Sequence, residues 1–366
     1  MMQNGKSGKM NLFNNIYKDK KVLITGDTGF KGSWLAKWLL NLGAEVRGYS
    51  LHPNSNPSHF DLLKMDYKTI FNNINDLECV LKSLNEYNPD IIFHLAAQSL
   101  VRYSYENPIE TYKTNVIGTA NILDAARINK KVKAIIIVTT DKCYENLEQS
   151  EGYRETDRMG GYDPYSSSKG AAELVTSSYR NSFFNLDNYG VDHETLIATA
   201  RAGNVIGGGD WSLDRLMPDL IRGANNNKKS IVRNPNSTRP WQHVLEPISG
   251  YLLLGQRLLE KKKEFASAWN FGPDEKNNLT VNNVLEIAQK QWNLITYEII
   301  ENANNPHEAN LLSLNINKAK KELGWLPIWT NEEAVAKTIL WYKNYYENQV
   351  LNTELDLKSY INRIQY

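Results

Sequence analysis

Cysteine is scarce in this chain. Two thiols, Cys79 and Cys143, stand among 366 residues, too few for a disulfide framework, and neither falls in a CxxC or a metal-ligand spacing. Cys143 reads as a small packing residue. The six histidines are scattered, so no metal site is expected. No apolar run is long enough to span a bilayer, and no charged, then apolar, then small-residue leader is found; the expectation is a cytoplasmic protein without membrane partners. Charge of either sign is not in excess: 42 basic against 41 acidic residues, a formal net of +1, argue against a general nucleic-acid or polyanion binder. Repeats and low-complexity segments are missing too. What remains is length enough for a substantial core and, since a single core rarely grows past ~250–300 residues, for two lobes.

What is present starts with well-placed glycine. The apolar run Lys21 to Thr25 reads as a strand that turns through Gly26, Gly29 and Gly32 into an amphipathic helix reaching about Leu42. Such a turn lets backbone N–H groups and the helix N-terminus face a pyrophosphate, where a Cβ would obstruct close approach. The spacing alone is weak evidence and also fits a merely tight turn; its place between a strand and a helix is the context that dinucleotide binding needs. The second strand ends at Ser50, where an acidic residue would signal NAD through the ribose 2′-hydroxyl. Serine leaves NAD against NADP open, although no arginine pair stands ready for a 2′-phosphate. Residues 91–95 read as a buried strand, and Ala96-Ala97 as small residues where a cofactor ring passes close to backbone, or as ordinary packing.

The organising stretch is Thr139 to Lys169. A β-branched run, Lys133 to Val138, reads as a buried strand that delivers Thr139, Thr140, Asp141 and Lys142 to the carboxyl edge of a sheet, either as a capping turn or as a catalytic cluster. In the helix that follows, a four-residue offset stacks Tyr165 and Lys169 on one face. A lysine cation beside a phenol favours the phenolate, so the pair can take a proton from a substrate hydroxyl near neutral pH. Tyr-x-x-x-Lys also arises by chance on many helices; its company raises it.

Strand and helix patterns alternate through about residue 200, with a loop and short turn at 53–66, a strand at 68–74, helices at 76–86 and 108–129, and a strand at 194–200. This predicts an α/β fold with a doubly wound parallel sheet. Beyond it, helices are expected near 212–225, 280–292 and 331–347, and short strands near 230–233, 268–271 and 296–300. The expected division is a flexible segment at 1–18, a dinucleotide-binding domain at 19–204, and a smaller, mainly substrate-binding lobe at 205–350. Helix 244–262 returns to the first domain, and 351–366 form a C-terminal extension.

Gly26/Gly29/Gly32, His94-Leu95-Ala96-Ala97, Asn115 and Tyr165/Lys169 together resemble the extended short-chain dehydrogenase/reductases. Thr140-Asp141 before the Tyr/Lys pair is similar to the nucleotide-sugar 4,6-dehydratases within them. The wording of 139–145, 161–170, 201–211 and 238–244 resembles the CDP-glucose branch of that family. One departure from dTDP-glucose relatives, Lys142 where they carry Glu, is a feature that the CDP-glucose branch shares.

The resemblance implies a Rossmann-type domain that binds NAD through Gly26, Thr28, Gly29, Phe30, Gly32, Ser50, Leu95, Ala96, Ala97, Asn115, Thr139, Tyr165 and Lys169. It implies an intramolecular redox dehydration of a nucleotide sugar, CDP-glucose, for deoxysugar and surface-polysaccharide synthesis. Tyr165 and Lys169 would serve oxidation at C4, Thr140 the C4 oxygen, Asp141 the C6 oxygen, and Lys142, directly or through a water, the C5 proton. Gln98, Arg102, Asn204, Arg215, Arg239 and His307 are the substrate-binding candidates; Arg215 and Arg239 supply positive charge for two phosphates, or are surface ion pairs. Pairing of two subunits, or a higher homo-oligomer, through helices 108–129 and 164–184 is expected from the same likeness. The rivals are a GDP- or UDP-linked dehydratase, a nucleotide-sugar epimerase, and an NAD-binding protein without catalysis.

Overall fold

Short β-branched runs build the centre of the protein, whose computed structural model describes residues 12–274, 279–300 and 312–365. Strand β1 (Lys21–Thr25) leads through the glycine turn into α1 (Phe30–Asn41), followed by β2 (Glu45–Ser50), α2 (His59–Leu63), β3 (Lys68–Phe71), α3 (Leu77–Tyr87) and β4 (Ile91–His94). Helices α4 (Val101–Glu106) and α5 (Pro108–Tyr112), a π turn (Lys113–Ile117) and α6 (Gly118–Asn129) carry the chain to β5 (Ala134–Val138). A 3-10 turn (Asp141–Cys143), α7 (Pro164–Ser182) and β6 (Leu196–Ala202) come next. The remainder holds β7 (Val205–Ile206), α8 (Leu216–Asn225), β8 (Ser230–Val232), β9 (Thr238–Arg239), β10 (Gln242–His243), α9 (Leu245–Leu259) and β11 (Ala268–Phe271). It closes with β12 (Leu279–Thr280), α10 (Val281–Gln291), β13 (Tyr297–Ile299), α11 (Asn331–Asn348) and α12 (Thr353–Ile361).

Seven strands pair in parallel in the order β11-β6-β5-β4-β1-β2-β3, the doubly wound Rossmann-type sheet. Every residue of β5 and β6 is buried, because helices cover both faces of an interior parallel strand. The order reverses between β1 and β4: the chain leaves β1 toward β2 and β3, then returns to build the other side. The carboxyl ends of these two neighbours therefore open the crevice where such sheets bind ligands. Helix α9 packs on β5, β6 and α1. The C-terminal part otherwise holds two-stranded ribbons, β7 with β10, β8 with β13 and β9 with β12. Helices α10 and α11 each open on a reciprocal capping box, Thr280 with Asn283 and Thr330 with Glu333.

Four expectations need correction. Residues 12–18 are not loose: Leu12, Phe13 and Tyr17 are buried, Phe13 packs against Trp38, and the Tyr17 hydroxyl donates to the Leu252 carbonyl at 2.5 Å. Their apolar side chains cover α1 and α9. The stretch 53–66 contains α2, capped by Ser58, whose His59 is buried between Trp34 and Trp341. The expected helix 108–129 is helical throughout but is interrupted by the π turn at Lys113–Ile117. Residues after 350 are a packed element, not a simple extension. In α12, Thr353 bonds His59 at 2.8 Å and Trp341 at 3.0 Å, and Tyr360 donates to the buried Glu246 carboxyl at 2.7 Å while its ring packs on Trp38.

Candidate active site

The crevice at the β1/β4 junction opens into a cavity of about 1170 Å³, more than one small ligand needs. Its floor is the glycine turn. Gly26 has φ +76°, and a Cβ on it would stand 2.7 Å from the Ala96 nitrogen; one on Gly32 would stand 2.1 Å from the Gly26 oxygen. Helix α1 begins with Gly29 as its N-cap and no side chain bonded across it, so its first-turn N–H groups are left for an anion. This is a cradle that a dinucleotide pyrophosphate fits. Gly26, Thr28, Gly29, Phe30, Gly32, Ser50, Leu95, Ala96, Ala97 and Thr139 all line the cavity. Thr28 Oγ1 lies 2.7 Å from Ser50 Oγ and donates to the Leu51 carbonyl at 2.9 Å, so hydroxyls rather than an acid tie the end of β2 to the turn.

The opposite wall comes from β5 and α7. Pro164 opens α7, and Asp163 caps it by accepting from the Ser166 N–H at 2.9 Å, which fixes Tyr165 in the first turn and Lys169 one turn on. Both are buried and both line the cavity. The Lys169 ammonium donates to the Val138 carbonyl at 3.2 Å; burial pulls its pKa down to about 8, against the charge of Glu173. The Tyr165 phenol does not behave as expected of a lysine-activated tyrosine. Burial pushes it up to about 12, and the groups acting against burial are the Thr140 hydroxyl and the Arg215 charge. Desolvation of the phenolate outweighs the groups that favour it.

The 3-10 turn after β5 carries the acid. Asp141 is buried, and burial raises its pKa above that of an exposed aspartate. Thr140 Oγ1 donates to Asp141 Oδ1 at 2.9 Å, while Oδ2 has no hydrogen-bond partner among the described residues. A carboxyl whose burial favours its protonated form, with one uncommitted oxygen and a place in the cavity lining, is suited to give a proton. Thr140, Asp141 and Lys142 line the same cavity as Tyr165 and Lys169.

Of the substrate candidates, Arg102, Asn204, Arg215 and Arg239 line the cavity. Arg215 is already engaged, with Asp210 at 2.9 Å and the Ser99 hydroxyl at 3.1 Å, and Arg102 lies 3.6 Å from Asp214. Gln98 and Asn115 are not among the residues that line the cavity. The Gln98 amide is spent on the Leu100 carbonyl and Thr111 hydroxyl. Asn115, turned inward by the π turn, bonds the Gln98 backbone at 2.8 and 2.9 Å and Ser168 Oγ at 2.8 Å. It braces the loop after β4 against α7. His307 lies outside the described residues.

Sequence reasoning missed Lys31, which lines the cavity from the first turn of α1 and whose pKa is lowered to about 7 by burial, then by Arg215 and Lys169. A charged residue inside the glycine motif was its signal. It also missed the buried pair Glu173–Arg201, whose signal was a carboxylate four residues after Lys169. Among the described residues no group of three or more His, Cys, Asp or Glu could hold a metal ion, and no helix is long and apolar enough to cross a membrane.

Residues 23–338 match the sequence model of a family described as GDP-mannose 4,6 dehydratase. The chain is 45% identical over 351 residues to a CDP-glucose 4,6-dehydratase of Salmonella typhimurium, covering 95% of this chain and 98% of that one. It is 26% identical to a dTDP-glucose 4,6-dehydratase of Haemophilus influenzae over 88% of this chain and 97% of that one. In fold it superposes on DesIV, a dTDP-glucose 4,6-dehydratase of Streptomyces venezuelae solved with NAD and TYD bound, with a TM-score of 0.76, 21% identity, and coverage of 90% and 98%. The epimerase Mth375 of Methanothermobacter thermautotrophicus superposes with a TM-score of 0.79 at 23% identity, over 96% and 98% of the two chains.

Proposed function

The chain belongs to the family of nucleotide-sugar 4,6-dehydratases, and from that premise we propose that it is an NAD-dependent hydro-lyase converting CDP-D-glucose to CDP-4-keto-6-deoxy-D-glucose. The observation that carries the nucleotide is the near-full-length 45% likeness to the Salmonella enzyme, against 26% for the dTDP-glucose enzyme of Haemophilus. The observation that supports elimination is the buried carboxyl of Asp141 with one oxygen uncommitted, since a C4 epimerase needs no acid aimed at C6.

The glycine turn after β1 would hold NAD, which would supply a hydride acceptor for C4 of the sugar and the same hydride for C6. The chain's own groups do the rest. Tyr165 takes the C4-hydroxyl proton. Lys169 stands one turn behind it on α7, placed to offset the charge of the phenolate. Thr140 bonds the C4 oxygen. The resulting ketone acidifies C5–H, which Lys142 or a water it holds removes. Asp141 gives its proton to the departing C6 hydroxyl, which leaves as water, and C5 is then reprotonated. Gly26, Gly29 and Gly32, with the first turn of α1, would hold the pyrophosphate of the dinucleotide, and Asn204, Arg215 and Arg239 the diphosphate of the sugar nucleotide. Pairing of two subunits through α5–α6 and α7 belongs to the same reading. It is supported by the exposed Ile109, Ile117 and Leu174 on those helices.

Mass spectrometry of CDP-glucose, GDP-mannose and UDP-glucose, each incubated with protein and NAD, tests the proposal. Loss of one water from CDP-glucose is expected. Conversion of another sugar nucleotide in its place, or epimerisation without mass change, overturns the assignment.

A further inference from the structure

Behind the catalytic wall lies a charge pair that the reaction above does not use. Glu173 sits on α7 one turn after Lys169 and is 4% exposed. Its Oε2 accepts from Arg201 Nη2 at 2.8 Å and from Thr199 Oγ1 at 2.8 Å, and its Oε1 accepts from Thr139 Oγ1. Arg201 is also 4% exposed. It spends its other terminal nitrogen on the Tyr144 hydroxyl at 2.7 Å and the Glu155 carbonyl at 3.1 Å, and Tyr144 donates in turn to Asn270 at 2.8 Å. One of Glu173's bonded partners, Thr139, lines the cavity, as does Lys169 one helical turn before it on α7; Thr199, Arg201 and Glu173 itself do not. A buried ion pair is weak evidence for stability, because removing both charges from water costs about what their attraction returns. One whose carboxylate bonds a cavity-lining threonine and stands one helical turn from Lys169 has another use open to it.

We propose that Glu173 is a positioning residue of the active site, the fixed counter-charge behind Lys169, clamped in place by Arg201, Thr139 and Thr199. Helical stacking puts carboxylate and ammonium on one face of α7, and the two threonines and the arginine leave the carboxylate no other direction to turn. Lys169 pays heavily for burial, and Glu173 is the first group that opposes that loss; Glu173 itself is held ionised by Arg201 despite its depth. The other titratable groups facing the lysine are Tyr165 one turn before it on α7, Lys31 from α1, His94 from β4, and Cys143 from the 3-10 turn. Those facing Glu173 are Arg201 from β6, Arg180 from its own helix and Cys143. Of the groups around the lysine, only Glu173 is a carboxylate held ionised. The inference rests on the catalytic reading of Lys169, yet can fail separately from it.

The test is Glu173→Gln, which keeps the shape and the acceptor for the threonines while removing the charge. It is read by titrating the Lys169 side chain in ¹³C-lysine-labelled protein, assigned by the resonance lost in Lys169→Met. The midpoint should fall by about one pH unit or more, and the alkaline limb of the kcat profile should move down with it, narrowing the active range. A merely structural role would lower kcat at every pH and leave both midpoints in place, and that result overturns the proposal. Should the lone variant fail to fold for want of a partner for Arg201, Glu173→Gln combined with Arg201→Met removes both charges and is read the same way. If the wild-type protein dehydrates no sugar nucleotide, the function falls, while the lysine titration still decides whether Glu173 sets its charge.

Discussion

Replacing Asp141 by asparagine isolates the elimination step. The Thr140 hydroxyl reaches Oδ1 at 2.9 Å, a bond that an amide oxygen accepts equally well, and the amide nitrogen takes the place of Oδ2, which has no partner to lose. Burial raises the carboxyl's pKa, so the exchange removes a charge that the site already disfavours. What disappears is a proton donor. A positioned general acid contributes ~10²–10⁴ in rate, equivalent to about 3–5 kcal/mol of barrier, and turnover should fall by that factor. Oxidation at C4 does not use Asp141, so stopped-flow mixing with CDP-glucose should show reduced nicotinamide forming and persisting on the enzyme, where the parent shows it only transiently. Undiminished turnover, or oxidation slowed as much as the overall reaction, would refute the assignment of the acid.

Lys142→Met should abolish incorporation of solvent deuterium at C5 of the product while leaving C4 oxidation measurable by the same absorbance. Deuterium still entering at the parent rate removes Lys142 from the base's role. Gly26→Ala places a methyl 2.7 Å from the Ala96 nitrogen at a φ of +76°, at a cost of ~1–3 kcal/mol. Fluorescence titration should show NAD binding weakened at least about tenfold. Buried His59, His94 and His243 have pKa values lowered to about 3, each below the ordinary 6.5, so the unfolded chain binds more protons than the native one between those limits. Stability is then complete above about pH 6.5 and drains as pH falls toward 3. Denaturant midpoints that stay level from pH 7 to 5 would contradict their burial as neutral rings.

How far the sequence could be read followed the physics of each region. The sheet was legible because an interior parallel strand has to be apolar on both faces, and Ala134–Val138 has no other explanation. The glycine turn was legible because Gly26 and Gly32 stand where a Cβ meets backbone. Tyr165 and Lys169 were found by helical spacing, but the direction of the tyrosine's shift was not, since spacing reports neighbours and not how much water is excluded. Asn115 and Gln98 were assigned to ligands because their position along the chain was right. Only the π turn, which periodicity cannot reveal, shows that the Asn115 amide meets the backbone of Gln98. The short ribbons of the C-terminal part are pairs of two or three residues, too brief for a period to register. Arg201 and Glu173 lie 28 positions apart and meet only across the packed layers.

Helix α12 has an implication for how the protein is made. Its Tyr360 and Glu354 lie against Trp38 and Lys37 of α1, the helix whose first turn floors the cofactor cradle, and its Thr353 supports His59 and Trp341 beneath that helix. Synthesis delivers α1 long before it delivers α12. Until residues beyond 350 emerge from the ribosome, the side of Trp38 that Tyr360 covers stays open, so the nucleotide half completes its packing only with the last part of the chain. Nascent chains halted short of that point should be clients for hydrophobic-surface chaperones.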